Sequence, residues 1–262
     1  MFYSICRLRK LSMKRISKKN MALNIDRKII ILLIILFIMI FRYWPPYQRG
    51  FNCTDKSLQH RFRPLWFKTS YLFLFTLFLP ILIIYMIQRY TSSSSSCSTG
   101  LKKFLIGFMI NLNLTEIFKR TFGRLRPHVY DFCHLDRYCP NGTNIDHYID
   151  SFECINNDYP WYITNERLSF YSGHSSLGAF AGTFLVCFLH ENFYQKLQQQ
   201  SSTSKSNKWK NKLLLSLEMV IFLIYLIPGY SQYLIKWHFL SDILAGFTFG
   251  SLHALIVHRL FL

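Results

Sequence analysis

The sequence predicts an all-α integral membrane protein, a six-transmembrane-helix bundle with a site at its lumenal or extracellular face. Three observations carry this. Apolar residues make up 51% of the chain and gather in long runs. The first two runs, "IIILLIILFIMIF" (29–41) and "SYLFLFTLFLPILIIYMI" (70–87), show none of the polar stripes that a helix of a soluble bundle would present. Basic residues crowd ahead of the first run, as the positive-inside rule expects of a cytosolic segment.

Residues 1–28 form a basic leader with nine Lys/Arg and one acid, Asp26, which accounts for much of the formal charge of +18. Such a tail could bind nucleic acid, but beside an apolar run it reads as a cytosolic tail, and no nucleic-acid partner is expected. The first run is followed by "RYWPPYQRG" with no small-residue cleavage pattern, so an uncleaved signal anchor is expected. The domain then covers 29–260, with spans at about 29–44, 70–88, 103–118, 174–190, 212–228 and 239–258. A helix needs about 20 residues to cross a hydrocarbon core of roughly 30 Å. Most of the runs reach that once flanking Tyr, Trp and uncharged residues are included.

Alternation of six spans puts the low-complexity basic stretches 88–103 and 190–212 in the cytosol. The long segment 119–171, with seven acids against six bases, falls on the opposite side. Four of the seven cysteines (Cys53, Cys133, Cys139 and Cys154) fall on that same side, where disulfides persist. Four cysteines allow three pairings. "CHLDRYC" lacks the close spacing of a zinc site, so no metal is expected. Of the sequons, Asn141 is the best glycosylation acceptor, while Asn113 lies inside a span.

Three polar clusters border the spans, and counting spans puts all three at one membrane face. In "KRTFGRLRP" (119–127), Lys119 and Arg126 are seven apart, two helical turns, so both are able to reach one anion; Arg124 would point elsewhere if the helix continues. Arginine offers a forked donor set for phosphate and lysine a point charge. In "SFYSGHSS" (169–176), Gly173 allows close backbone approach at a helix N-terminus, Ser172 adds a hydroxyl and His174 a titratable ring. In "SQYLIKWHFLSD" (231–242), the i, i+4 spacing of His238 and Asp242 predicts both on one face of the sixth helix, with the carboxylate fixing the tautomer. Each cluster alone has an ordinary explanation: a headgroup-facing basic loop, an N-cap serine, a helix-end ion pair. Together they describe a phosphate site.

These segments resemble the three signature motifs of the type 2 phosphatidic acid phosphatase (PAP2) superfamily, in its lipid phosphate phosphatase branch. The motifs are K-x6-R-P, a Ser-Gly-His core usually preceded by Pro (here Tyr171), and S-R-x5-H-x3-D. The resemblance covers roughly residues 29 to 257. It implies a metal-independent hydrolase with no cofactor, acting on phosphatidate, lysophosphatidate or sphingoid-base phosphates. His238 would be the nucleophile, Asp242 its orienting acid and His174 the proton donor to the leaving alkoxide. Lys119, Arg126, Ser172 and Gly173 would hold the phosphate oxygens. Expected partners are the bilayer and a phospholipid substrate, with room for a homo-oligomer.

Gln232 stands where the motif has arginine. It keeps two N–H donors but loses charge and fork, which predicts a slowed enzyme; Lys236, Arg120 and Arg124 are neighbouring cations able to make up part of the loss. A non-catalytic lipid-phosphate-binding or interaction protein is the alternative. A phosphotransferase to another acceptor, and a transporter using Glu116, Glu218, Asn111 and Asn113, are more remote.

Overall fold

The computed structural model describes residues 19–65, 67–91, 97–139, 146–194 and 205–260. Most of the basic leader and the glycosylation candidate Asn141 lie outside the described residues.

Helix α1 runs over Lys19–Tyr43. After a short strand β1 (Phe51–Asn52), helix α2 covers Thr69–Tyr90, with a π-helical turn at Leu74–Phe78. Helix α3 (Cys97–Phe122) is followed by a four-residue helix α4 (Val129–Phe132) and strand β2 (Tyr148–Ile149). Helices α5 (Gly173–Leu189), α6 (Lys205–Leu234) and α7 (Leu240–Leu260) complete the chain. Among the described residues, six long helices overlap the six expected runs.

Among the described residues three helices are long and apolar enough to cross a membrane by length and composition: Thr69–Tyr90, Trp209–Leu234 and Leu240–Arg259. The other three differ for visible reasons. The apolar run of α1 is bracketed by Arg27, Lys28 and Arg42. Helix α3 carries Lys102, Lys103, Glu116, Lys119 and Arg120. Helix α5 has 17 residues and is buried along its whole length except at His174. A helix that is apolar all round belongs inside a bundle, and α5 is that central helix, packed by α7, α6 and α3. The outer helices instead expose large apolar side chains: Leu32, Ile35 and Met39 on α1; Leu74, Phe78 and Leu82 on α2; Leu217, Val220 and Ile224 on α6; Leu252 and Ile256 on α7. A belt of this size is what lipid covers.

Two small-residue seams hold α5 to its neighbours. A Cβ on Gly246 of α7 would stand 2.7 Å from the Ser172 carbonyl oxygen, and one on Gly250 would stand 2.2 Å from that of Ser176. Gly178 and Gly182 meet Tyr225 of α6 in the same way. Both are Gly-x3-Gly spacings, which let helix backbones touch where no hydrophobic force pulls them together.

The segments between helices build a cap over one end of the bundle. Strands β1 and β2 pair antiparallel, Phe51 opposite Ile149. The cap has its own core of Phe51, Leu58, Leu125, Val129, Phe132 and Leu135. Of the three possible pairings, the disulfides are Cys53–Cys139 and Cys133–Cys154. The first ties the stretch after α1 to the stretch after α3, and the second closes a loop within the latter.

Candidate active site

All three clusters meet under the cap. Helix α3 presents Lys119 in its last turn and then stops, because Gly123 adopts φ +52 and its N–H returns to the Lys119 carbonyl at 3.0 Å. This left-handed C-terminal cap suits glycine; a Cβ there would meet the Tyr47 carbonyl oxygen at 2.1 Å. The expectation that helical periodicity brings Lys119 and Arg126 together is therefore corrected. They converge because the chain turns. Arg126 is held by its own N–H to the Glu166 carbonyl (3.0 Å), by Nε to the Asn165 carbonyl (2.6 Å) and by Nη1 to the Trp237 carbonyl (3.3 Å). Its guanidinium lies 4.6 Å from the centre of the Trp237 ring. Burial pulls its pKa down, opposed by the Glu166, Asp242 and Glu116 carboxylates.

Helix α5 begins at Gly173 with Ser172 as N-cap, its hydroxyl accepting the Ser175 N–H at 3.4 Å. Lys119 Nζ, paired with Glu116 at 3.0 Å, hovers over this start, since a Cβ on Gly173 would come within 3.2 Å of it. His174 Nε2 donates to the Phe67 carbonyl at 3.3 Å.

His238 precedes α7 rather than lying on it, so the shared-helix-face expectation is corrected as well. The turn at 235–239 still brings His238 Nδ1 to 3.7 Å from Asp242 Oδ2. Ser169, fully buried, sits between them: its Oγ donates to Asp242 Oδ2 at 2.6 Å and lies 3.4 Å from His238 Nδ1. The Phe239 N–H reaches the same oxygen at 3.2 Å, while Arg124 Nη1 takes Oδ1 at 2.5 Å. Asp242 thus receives hydrogen bonds from three residues, with the His238 ring next to them at 3.7 Å. Sequence reasoning missed Ser169 and the Arg124 contact, and no spacing rule would have found either, since both depend on how cap and bundle dock.

A cavity of about 380 Å³ is lined by Lys119, Arg126, Gly173, His174, Gln232 and His238 at its polar end. Phe37, Phe41, Leu72, Phe73 and Leu112 line the rest. Ser172 and Asp242 stand behind this lining. Gln232 is fully buried, with Nε2 3.4 Å from the Ser231 hydroxyl and Oε1 without a partner among the described residues. None of the three neighbouring cations lines the cavity. Arg124 is bound to Asp242, Arg120 Nη1 to the Trp44 carbonyl, and Lys236 lies over the Tyr233 ring. Of the polar groups a transporter would use, Glu116 pairs with Lys119, Glu218 with His190 and Asn111 with Ser176, while Asn113 donates from Nδ2 to the Leu33 carbonyl and its Oδ1 has no partner among the described residues.

A helical bundle with membrane-type outer faces, closing on a cavity lined at one end by Lys119, its partner Glu116 and Arg126 and by apolar side chains along the rest, is the build of a membrane protein with a charged site against an apolar wall. The chain belongs to the PAP2 superfamily, whose family model matches residues 100–262, more than half of its length. Phospholipid phosphatase 1 of Rattus norvegicus is 29% identical over 237 residues, covering 84% of this chain and 78% of the relative. Phospholipid phosphatase 2 of Mus musculus is 29% identical over 238 residues, covering 85% and 79%. A Drosophila melanogaster relative is 27% identical over 250 residues; this chain spans 63% of its length. No solved structure matches. Both mammalian relatives carry the name phospholipid phosphatase.

Proposed function

We propose that this chain dephosphorylates phosphatidate, lysophosphatidate or a sphingoid-base phosphate through a phosphohistidine on His238. The observation that carries the reading is the two-ended cavity, where Lys119, Arg126, His174 and His238 line one space, with Glu116 beside them as the partner of Lys119, next to an apolar wall fit for a lipid tail. All six helices would cross the bilayer with the leader in the cytosol, which puts the cap in the lumen or outside the cell.

In the proposed reaction, Asp242 and Ser169 hold His238 Nδ1, leaving Nε2 to attack phosphorus. The P–O bond to the lipid breaks as the N–P bond forms, and His174 gives its proton to the departing alkoxide. Water then attacks the phosphohistidine and gives up a proton to His174. Lys119, Arg126 and the Gly173 amide neutralise charge on the non-bridging oxygens, the main requirement of phosphoryl transfer. Ser172, behind the cavity wall, would act through the N-terminus of α5 that it caps.

Purified protein given phosphatidate micelles in EDTA is expected to release inorganic phosphate. Gln232→Arg should release it roughly 10-fold faster or more, since one preorganised charged donor is worth about 10²–10³ in rate and glutamine recovers part of that. Silence of the unaltered chain beside an active Gln232→Arg would favour the binding-protein alternative, which rests on the uncharged Gln232.

A pH profile adds a second check. Burial, aided by Arg126 and Lys119, pushes the His238 imidazole down to about 4 against the pull of Asp242. Only the neutral ring is a nucleophile, so activity is lost as pH falls through the folded value. The His238 limb of the kcat/KM profile, which reports the free enzyme, is expected near 4. A limb at the ordinary histidine value near 6.5 would contradict this assignment.

A further inference from the structure

Two residues that touch no part of the cavity stand where the three site segments cross. His128 and Glu166 are buried, with 0% and 1% exposure. His128 Nδ1 lies 2.9 Å from the Lys236 carbonyl oxygen, and Nε2 lies 3.1 Å from Glu166 Oε1. A carbonyl oxygen only accepts, so Nδ1 carries a hydrogen. The second contact then needs one more proton, either on Nε2 or on the carboxyl group. In both arrangements the pair is neutral overall and shares one proton, while Glu166 Oε2 is buried with no hydrogen-bond partner among the described residues.

What this pair grips is unusual. Lys236 has φ +59, a left-handed conformation that costs a residue with a Cβ roughly 1–2 kcal/mol. Its N–H is bound to the Tyr233 carbonyl and the Trp237 N–H to the Gln232 carbonyl, which closes the turn from the α6 side. The Lys236 carbonyl is taken by His128 alone among the hydrogen bonds described. Trp237 and His238 follow directly, and the Trp237 ring lies edge-on to His128 at 5.0 Å. On the other side, the Glu166 carbonyl holds the Arg126 N–H at 3.0 Å, and its neighbour Asn165 holds Arg126 Nε.

We propose that His128 and Glu166 are a positioning dyad, in which His128 Nδ1 on the Lys236 carbonyl sets where the nucleophilic imidazole of His238 stands relative to the phosphate-binding guanidinium of Arg126, and Glu166 only seats the His128 ring. The dyad makes no contact with substrate. It clamps the carbonyl two residues before His238 to the backbone that carries Arg126, so the two groups that must meet one phosphate share one brace. A second consequence follows for Gln232, whose carbonyl closes the same turn. The brace keeps the uncharged amide in the wall with no side-chain ion pair to hold it there.

This inference rests on the phosphatase reading above, and the test separates the two. Asparagine places its amide N–H where histidine has Nδ1, whereas glutamine places one near Nε2. His128→Gln is expected to lower kcat about 10–100-fold, as loss of supporting hydrogen bonds around a reactive group commonly does. KM for phosphatidate should move by less than about 3-fold, because the dyad lies outside the cavity and acts chiefly on where the nucleophile stands. His128→Asn, which keeps the bond to Lys236, should recover kcat to within about 5-fold of the unaltered protein. A filler role in the core would make the two variants equally poor. The dyad is therefore overturned if His128→Gln keeps full kcat, or if both variants lose it alike. Should His128→Gln fail to fold, His128→Asn decides alone: kcat within about 5-fold supports the dyad, and a loss of about 10-fold or more overturns it. An unaltered protein that releases no phosphate overturns both readings together, whereas turnover with an indifferent His128→Gln overturns the dyad only.

Discussion

Replacing His238 with alanine is expected to lower phosphate release by about 10⁴-fold or more, to the background of the assay, as removal of a nucleophile does when the rest of a site remains. The loss should be chemical and not structural. Asp242, left by its histidine, still receives Arg124 Nη1, the Ser169 hydroxyl and the Phe239 N–H. It is therefore not an orphaned buried charge, which would be severely destabilising. The melting temperature in detergent should fall modestly, and binding of phosphatidate to Lys119 and Arg126 should persist. The decisive observation is covalent. Brief exposure to labelled phosphatidate and an alkaline quench should trap a phosphoryl group on the unaltered protein, stable in base and lost in acid, and none on His238→Ala. Labelling that survives the substitution would move the nucleophile elsewhere.

The second large effect is expected at Gly250, the eleventh residue of the last helix and well away from the chemistry. A single added methyl would stand 2.2 Å from the Ser176 carbonyl oxygen, and no side-chain rotation relieves a clash with backbone. The helices must part. Overpacking of this kind costs roughly 1–3 kcal/mol, which for a chain of this size lowers the melting temperature by about 3–10 °C. Activity should fall more than stability suggests. The same seam sets Gly246 against Ser172, and one turn earlier the Ser172 N–H meets the Asp242 carbonyl at 3.2 Å. Parting α5 from α7 therefore separates His174 from His238, and a misplacement of about 1 Å costs on the order of 10²-fold in rate. Leu252→Ala, on the 51% exposed face of the same helix, is the control and should leave both readings near the unaltered values. A Gly250→Ala protein as stable and active as its parent would show that the seam is looser than drawn.

How much of this was legible beforehand depends on which interactions are local. The six helical runs were, because apolar segments of that length have few alternatives. The three segments that meet at the cavity were, because the motifs single them out. Their mutual geometry was not. Periodicity put Lys119 and Arg126 on one helix face, yet Gly123 ends the helix between them. Spacing put His238 and Asp242 on one helix, yet the helix begins at Leu240 and a buried serine from another segment stands between them. The disulfide pairing stayed threefold ambiguous because it is fixed by the docking of β1 on β2, a contact across nearly a hundred residues of chain. Long-range closure carries no signature in one sequence.

The apolar wall of the cavity has a kinetic meaning. Phe37 and Phe41 belong to the outermost helix, and Phe41 is 63% exposed on the surface that lipid would cover. Under the proposed function, substrate reaches Lys119 and Arg126 from within the plane of the bilayer. The quantity that saturates such an enzyme is then the fraction of the surrounding lipid that is substrate. Diluting the vesicles with buffer would leave the rate per enzyme unchanged, while diluting the substrate with inert phospholipid would lower it.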